Sequence, residues 1–451
     1  MNAESRAVAA LRADCAGPVI AAGGPEYAAA CSGYNRFVEW SPEVIVRAQG
    51  PGDVRRGVTF AREEGLGVAV RSGGVGTAGA PAGTLLLDLR GLAAVDVQPG
   101  SVRVQAGAIW AEIDRQTAPF GRFAPGAQMS WVGAAGYALG GGFSWMGRRH
   151  GWASDNLLEL ELISASGEAV RVNAEEQPEL FWGMRGAGSN FGVVTSLTLR
   201  SHPYTAVTAG EVFWRADDLG EVLAFWDRWT DSVPDELGSD LAVIAPMRGL
   251  FATPEPYLVG VRYCLLEDSP AGREAVAELR GFGRPLLDTS GPRSYLQLQG
   301  QGTEFQPPGM YQRFRMVYLD RLDEPVIAAT VAAAKTLPLL SLISVHHYGG
   351  ALGRVPEDAS AMSHRDAKFN FMTAVRWWPF EDGSPALDWQ TSLLAEVRGT
   401  NEDRAYVNYL FDEPDRVASA YSQAALARLT ELKRRWDPDN LFAANQNIAP
   451  D

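Results

Sequence analysis

Glycine is concentrated in three short tracts of the first 200 residues, and that placement constrains the fold more than any other feature of the chain. The tracts are Gly73-Gly-Val75-Gly76-Thr77-Ala-Gly79, Val132-Gly133-Ala-Ala-Gly136-Tyr-Ala-Leu-Gly140-Gly-Gly142 and Arg185-Gly-Ala-Gly-Ser-Asn-Phe-Gly192. Around and between them run segments of strand-like composition: Val44–Arg47, Gly67–Arg71, Thr84–Leu89, Val102–Gln105, Leu157–Ser164 and Val193–Arg200. Only residues without a side chain let backbone approach a flat ligand at several successive positions. One such tract is usually structural. Three in one region, separated by strands, favour a large nucleotide-like ligand.

The first tract contains Gly74-Val-Gly76-Thr-Ala-Gly79, which matches the G-x-G-x-x-G dinucleotide pattern. A Rossmann site also needs a helix starting at those glycines, so that its N-terminal N–H groups face the pyrophosphate. Here Ala80-Pro81-Ala82-Gly83 and then a strand follow. The pattern therefore reads either as a flexible hairpin or as a backbone nest whose N–H groups converge on phosphate without a helix.

A chain of 451 residues needs more than one core. With a net charge of −14 it lacks the clustered cations that nucleic acids or anionic membranes require. No apolar run is long enough to span a bilayer and no secretory stretch opens the chain, so a soluble, cytoplasmic protein is expected. Cys15, Cys31 and Cys264 have no metal-ligand spacing; a Cys15–Cys31 disulfide or free buried thiols are the open alternatives. No metal site is expected. Oligomeric state is not legible.

Texture changes after His202-Pro-Tyr204. Helices are expected at roughly 216–232, 268–281 and 324–336, alternating with aromatic-rich strands such as Phe369–Trp378. A last strand, Tyr406–Tyr409, precedes an amphipathic helix at about 415–435. The predicted organisation is a helical segment over 1–33, a cofactor domain over 34–205, a second α+β domain over 206–400 and a C-terminal return over 401–451.

Together the motifs resemble the FAD domain of the vanillyl-alcohol-oxidase/PCMH superfamily, in its berberine-bridge-enzyme-like branch. Arg71-Ser-Gly-Gly-Val75-Gly, Met129-Ser-Trp-Val-Gly133, Gly140-Gly-Gly142 and His150-Gly-Trp-Ala-Ser-Asp155-Asn-Leu157 carry the likeness, with Glu179–Gly186 and Asn190–Thr195. Tyr406-Val-Asn-Tyr409, Trp436–Phe442 and Asn445-Gln-Asn-Ile448 resemble the berberine-bridge tail. The likeness implies an α+β fold: a PCMH-type domain of two α+β subdomains, plus a substrate domain carrying an antiparallel sheet. It implies that Ser72, Gly73, Gly74, Val75, Gly76 and Thr77 cradle the pyrophosphate. Gly79, Met129, Val132, Gly133, Gly136, Gly140, Gly142, Asp155 and Asn447 would line the cofactor, Gly192 and Val193 would border the adenine, and Tyr406 and Asn408 would lie near the ring.

The departures matter as much. The family's first motif has a flavin-linking histidine where this chain has Val75, and many members add a cysteine where Met129 stands. An isopropyl group and a thioether cannot form those bonds, so the expected cofactor is non-covalent FAD. The expected reaction is oxidation of a small hydrophobic molecule, a polyketide-like compound or another natural product, with Tyr406 as proton acceptor and Tyr409 second. A redox-neutral cyclase or isomerase on the same scaffold is the alternative, because losing both covalent links suits a flavin whose oxidising power no longer matters. His347, Tyr348, Phe369, Phe371 and Trp377 are the predicted substrate-lining residues, with His346 adjoining. His364-Arg365 and Arg376 either orient an acidic substrate group or form salt bridges.

Overall fold

The computed structural model describes residues 6–204, 207–245, 254–300, 308–399 and 402–450. The expected boundaries at 205/206 and 400/401 lie outside the described residues.

Strands β1 (Val19–Ala21), β2 (Val44–Arg47), β3 (Gly67–Arg71) and β4 (Thr84–Asp88) form a sheet of order β1-β2-β4-β3. β2 and β3 both run parallel to β4, and helix Pro51–Glu63 connects β2 to β3. That helix carries Pro51 in its first turn, where a missing N–H costs nothing, and buries Val54, Val58 and Ala61. β1 pairs with β2, so the 1–33 segment contributes a strand as well as helix Arg6–Asp14. Strands β5 (Val95–Gln98), β6 (Ser101–Gln105), β8 (Leu157–Ile163), β9 (Ala169–Asn173) and β10 (Val193–Arg200) make an antiparallel sheet of order β5-β6-β10-β8-β9. The two-residue β7 (Arg122–Phe123) pairs with β11 (His202–Pro203).

The third sheet contains β12 (Val207–Trp214), β13 (Leu237–Ile244), β14 (Leu258–Leu265), β15 (Leu287–Asp288), β16 (Gly291–Arg293), β17 (Tyr311–Leu319), β18 (Leu342–His347) and β19 (Phe369–Trp377). It is antiparallel, with order β15-β12-β14-β13-β18-β19-β17 and β16 beside β12. Side chains alternate between its faces. Leu241, Val243, Val261, Ile343, Val345, Phe369 and Phe371 pack in one core with residues of helices Leu219–Trp229, Pro270–Gly281, Glu324–Ala334 and Ser384–Arg398. The opposite face looks towards the glycine tracts.

Two expected elements differ. Tyr406–Tyr409 is not a strand: Val407–Tyr409 is a 3-10 turn, with Tyr409 N–H donating to Tyr406 O at 2.8 Å. The cause is tertiary as well as local, because Asn408 Nδ2 donates to the distant Tyr137 O and to Tyr406 Oη, both at 3.0 Å, and curls the segment inward. The last helix begins at Gln423, capped by Ser422 Oγ accepting from Ala425 N–H, and a 3-10 stretch Pro414–Ala420 precedes it. Cys15, Cys31 and Cys264 are free thiols, the first two half-buried.

Candidate active site

Between the glycine tracts and the bare face of the third sheet lies one cavity of about 630 Å³, within the range of cofactor and substrate pockets. Its floor begins at the end of β3. The loop turns sharply at Gly74, whose φ of +74° is strained for any residue with a Cβ. Among the described residues, the backbone N–H groups of Gly73, Gly74, Val75, Gly76 and Thr77 donate to no protein acceptor. Five consecutive unpaired donors at a cavity wall fit an anion, because backbone N–H groups are otherwise almost always paired. Gly73 and Gly133 press backbone against backbone: a Cβ on Gly73 would sit 2.5 Å from Gly133 Cα and N. A Cβ on Gly140 would meet Asn408 Oδ1 at 2.1 Å. At Gly73, Gly74, Gly133 and Gly140 the cradle leaves no room or no allowed backbone for a side chain, and it fits a large phosphate-bearing cofactor such as FAD.

Of the residues predicted to hold that cofactor, Ser72, Gly73, Gly74, Val75, Gly76, Thr77, Met129, Val132, Gly133, Gly136, Gly140 and Asn408 line the cavity. Others do not. Gly79 packs on β-bridged backbone, where a Cβ would meet Glu39 O at 2.2 Å. Gly142 packs on Ala153 and Tyr137, and Gly192 on Leu162 and Ile163. Val193 is buried in β10 opposite Ile163, while its neighbour Val194 lines the cavity. Asp155 forms an ion pair with Arg365 at 2.6 Å and accepts from Trp152 N–H. Asn447 is not among the lining residues, although Asn445 and Gln446 are.

The sheet side is set by register. Glu211, Arg262, Asp240, His346, Asn370 and Tyr318 are successive partners across six strands, so their side chains share one face. Arg262 and Asp240 form a buried bidentate pair at 2.7 and 2.6 Å. His346 Nδ1 lies 4.0 Å from Asp240 Oδ2, too far for a hydrogen bond. Both its ring nitrogens lack a hydrogen-bond partner among the described residues. Burial, opposed by Asp240, brings the His346 pKa down to about 4, so the ring is neutral at pH 7.

Four of the five predicted substrate-lining side chains lie elsewhere by one step of register. Phe369 and Phe371 are buried under the helices, whereas Met372 and Arg376 on the same strand face the cavity. His347 points to the helix side, packing on Trp226 and Phe369 and bonding Arg148; the cavity histidine is His346. Trp377 stacks on Tyr311 and meets Phe37 edge-on, outside the cavity. Tyr348 belongs to a buried cluster with Phe143, Trp152 and Tyr406, and its hydroxyl accepts from Asn370 Nδ2 at 3.0 Å.

The two tyrosines exchange roles. Tyr406 is 1% exposed and does not line the cavity; its hydroxyl accepts from Gly142 N–H at 2.7 Å and Asn408 Nδ2 at 3.0 Å. Tyr409 lines the cavity beside Phe314, its ring 6.3 Å from that of His346. Burial raises both phenol pKa values, so each keeps its proton at neutral pH. Tyr406 thus positions the turn, and Tyr409 presents an O–H to the cavity. Of the remaining charged candidates, Arg365 pairs with Asp155, and His364 bonds Ser419 O at 2.9 Å. Among the described residues no cluster of His, Cys, Asp and Glu could hold a metal, and no helix is long and apolar enough to cross a membrane.

Residues 42–173 match the family described as FAD binding domain, and residues 405–449 the family described as berberine and berberine like. The chain is 30% identical to FAD-linked oxidoreductase OXR1 of Pyricularia oryzae, over 77% of this chain and 71% of that one. It is 28% identical to (R)-6-hydroxynicotine oxidase of Paenarthrobacter nicotinovorans, over 91% and 92% of the two chains. The crystal structure of 6-hydroxy-D-nicotine oxidase from Arthrobacter nicotinovorans superposes with a TM-score of 0.88 at 25% identity, covering 97% of this chain and 98% of that one. With the nest, the cavity and the tail turn in place, these likenesses agree: the chain is an FAD-linked oxidoreductase and belongs to the berberine-bridge-enzyme-like family with a PCMH-type FAD-binding domain.

Proposed function

We propose that this enzyme holds FAD without a covalent bond and oxidises a small, largely apolar organic molecule bearing an O–H or N–H group. The observation that carries the reading is the cavity in which the glycine cradle faces Tyr409 and His346. Non-covalent binding is supported by the wall itself: Val75 and Met129 line it and offer no nucleophile, and none of the three cysteines does so. Bound FAD supplies the hydride acceptor, the chemistry that is the cofactor's own.

The chain's residues handle the proton. Neutral His346 accepts it from the substrate's O–H or N–H, and the Asp240 carboxylate 4.0 Å away stabilises the imidazolium that results. Arg262 holds Asp240 in place. Tyr409 donates a hydrogen bond to the same substrate atom and orients it, while Tyr406, Asn408 and Gly142 fix the turn that carries Tyr409. Phe314, Leu342 and Met372 line the apolar part of the pocket and exclude water.

Anaerobic incubation of the FAD-loaded protein with a panel of hydrophobic alcohols, phenols and amines tests this reading. A substrate should bleach the yellow flavin and emerge two hydrogens lighter. A compound that is rearranged at unchanged mass, with the flavin still oxidised, would favour the cyclase alternative instead.

A further inference from the structure

Among the described residues three arginines line the cavity, and two of them are neutralised. Arg71 pairs with Asp88 at 2.7 Å and Arg262 with Asp240 at 2.6 Å. Arg376 is different. It is 5% exposed, yet among the described residues no carboxylate lies within 4.0 Å of its guanidinium. Its Nε donates to Gln312 Oε1 at 3.2 Å and its Nη1 to Leu340 O at 2.9 Å, both neutral acceptors. Nη2 donates to no protein acceptor among the described residues. Burial lowers its pKa only to about 10, so it remains a cation at neutral pH. Buried charges are normally paired, because desolvation is costly without a counter-ion.

We infer that Arg376 binds a carboxylate carried by the substrate, so that the molecule oxidised in this cavity is an amphipathic acid. The inference rests on the function proposed above and names the substrate class for that same site. Register gives the dimensions. Arg376 and Gln312 are partners on β19 and β17, and the next pair along the same face is Ala374 and Phe314. Phe314 lies beside Tyr409, so the anion site stands about 7 Å, one pleat, from the side chains that flank the reacting group. The wall between is apolar: Phe314, Leu342 and Met372. A ligand with a hydrogen-bonding end, an apolar body and an acid at the far end matches that order.

The test titrates FAD-loaded protein with benzoate and with its neutral analogue benzamide, reading the perturbation of the flavin spectrum. Wild type should bind benzoate about tenfold or more tightly than benzamide, the difference expected for a charge-assisted hydrogen bond. Arg376→Gln should erase that preference while FAD affinity stays unchanged, and Arg376→Lys should retain part of it. Equal binding of the two probes by wild type, or an undiminished preference in R376Q, overturns the inference. So does a loss of FAD affinity in R376Q, which would give the guanidinium to a cofactor phosphate. Should R376Q not fold, a reduced preference in R376K relative to wild type, with FAD still bound, supports the site, and an identical preference contradicts it. Failure of wild type to take up FAD would sink the proposed function instead; calorimetry with the same probes on the flavin-free protein then decides the arginine site separately.

Discussion

Replacing Gly73 by alanine is the most direct perturbation of the cradle. The new Cβ would lie 2.5 Å from Gly133 Cα and N, whereas carbon atoms rest at about 3.5–4.0 Å. The obstacle is backbone, so no side chain can swing aside; the loop after β3 and the segment at Gly133 must part by about 1 Å. Gly133 cannot yield easily, because Ile109 bridges to it and Ala134 N–H is tied to Ala108 O at 2.9 Å. Overpacking of this kind costs about 1–3 kcal/mol of stability. The displaced loop carries the five unpaired N–H groups, and losing one charge-assisted hydrogen bond to a phosphate weakens binding by about tenfold to a hundredfold. The assay is quenching of FAD fluorescence on titration with flavin-free protein, beside a thermal melt. Gly281→Ala is the control: it ends helix Pro270–Gly281 with nothing within 4 Å of its Cβ position, and should change neither reading by more than about 0.5 kcal/mol. A Gly73→Ala protein that binds FAD like wild type would refute the placement of the phosphate at this loop.

Four further outcomes are expected. His346→Gln should slow flavin reduction by any true substrate by about 10²-fold or more with FAD still bound; Tyr409→Phe should do so more mildly, and stopped-flow absorbance separates them. Tyr406→Phe should instead show chiefly as lost stability, of about 1–3 kcal/mol, because it strips the acceptor from Gly142 N–H and from one N–H of Asn408 in a buried site. Lys433 and Asp437 are fully buried and paired at 2.7 Å, and Lys433 also bonds Asn190 O at 3.0 Å, joining the tail to the third glycine tract. Lys433→Met should therefore cost about 3–5 kcal/mol in denaturant unfolding; a loss below 1 kcal/mol would show the pair to be dispensable. For pH, His346 is lowered to about 4 and His347 well below 6.5, both by burial. Unfolded histidines take up protons below about 6.5 that these two refuse while folded. Stability is thus fully present above that pH and falls as pH drops towards 4, by about 1.4 kcal/mol per pH unit for each histidine. Equal melting temperatures at pH 7 and pH 5 would contradict this.

The cofactor side was legible because its signals are local. Strands such as Val193–Arg200 are β-branched runs between turn residues, and the glycine tracts declare backbone contact without reference to anything distant. The substrate side was not, for a reason of register. Both faces of β19 are buried, from Phe369 to Arg376, so hydrophobic alternation, the usual guide to which side chains face a core, is erased. Choosing Phe369, Phe371 and His347 placed the pocket on the helix-covered face, one residue out of phase. The charged residues held the missing signal: Asp240, Arg262 and Arg376 could not stand beneath the helices without partners, and their strands bring His346 and Met372 to the same side. Tyr406–Tyr409 reads as a strand by composition, and only the partner of Asn408, Tyr137 some 270 positions earlier, makes it a turn.

A flavin held in this cradle without a covalent link is tested most directly by the absorption spectrum of the purified protein before and after acid precipitation. The protein should be yellow, or turn yellow when FAD is added, and the whole of the colour should pass into the supernatant on precipitation. Colour that stays in the pellet would contradict the roles given to Val75 and Met129, and a colourless protein that FAD cannot reconstitute would contradict the cradle itself.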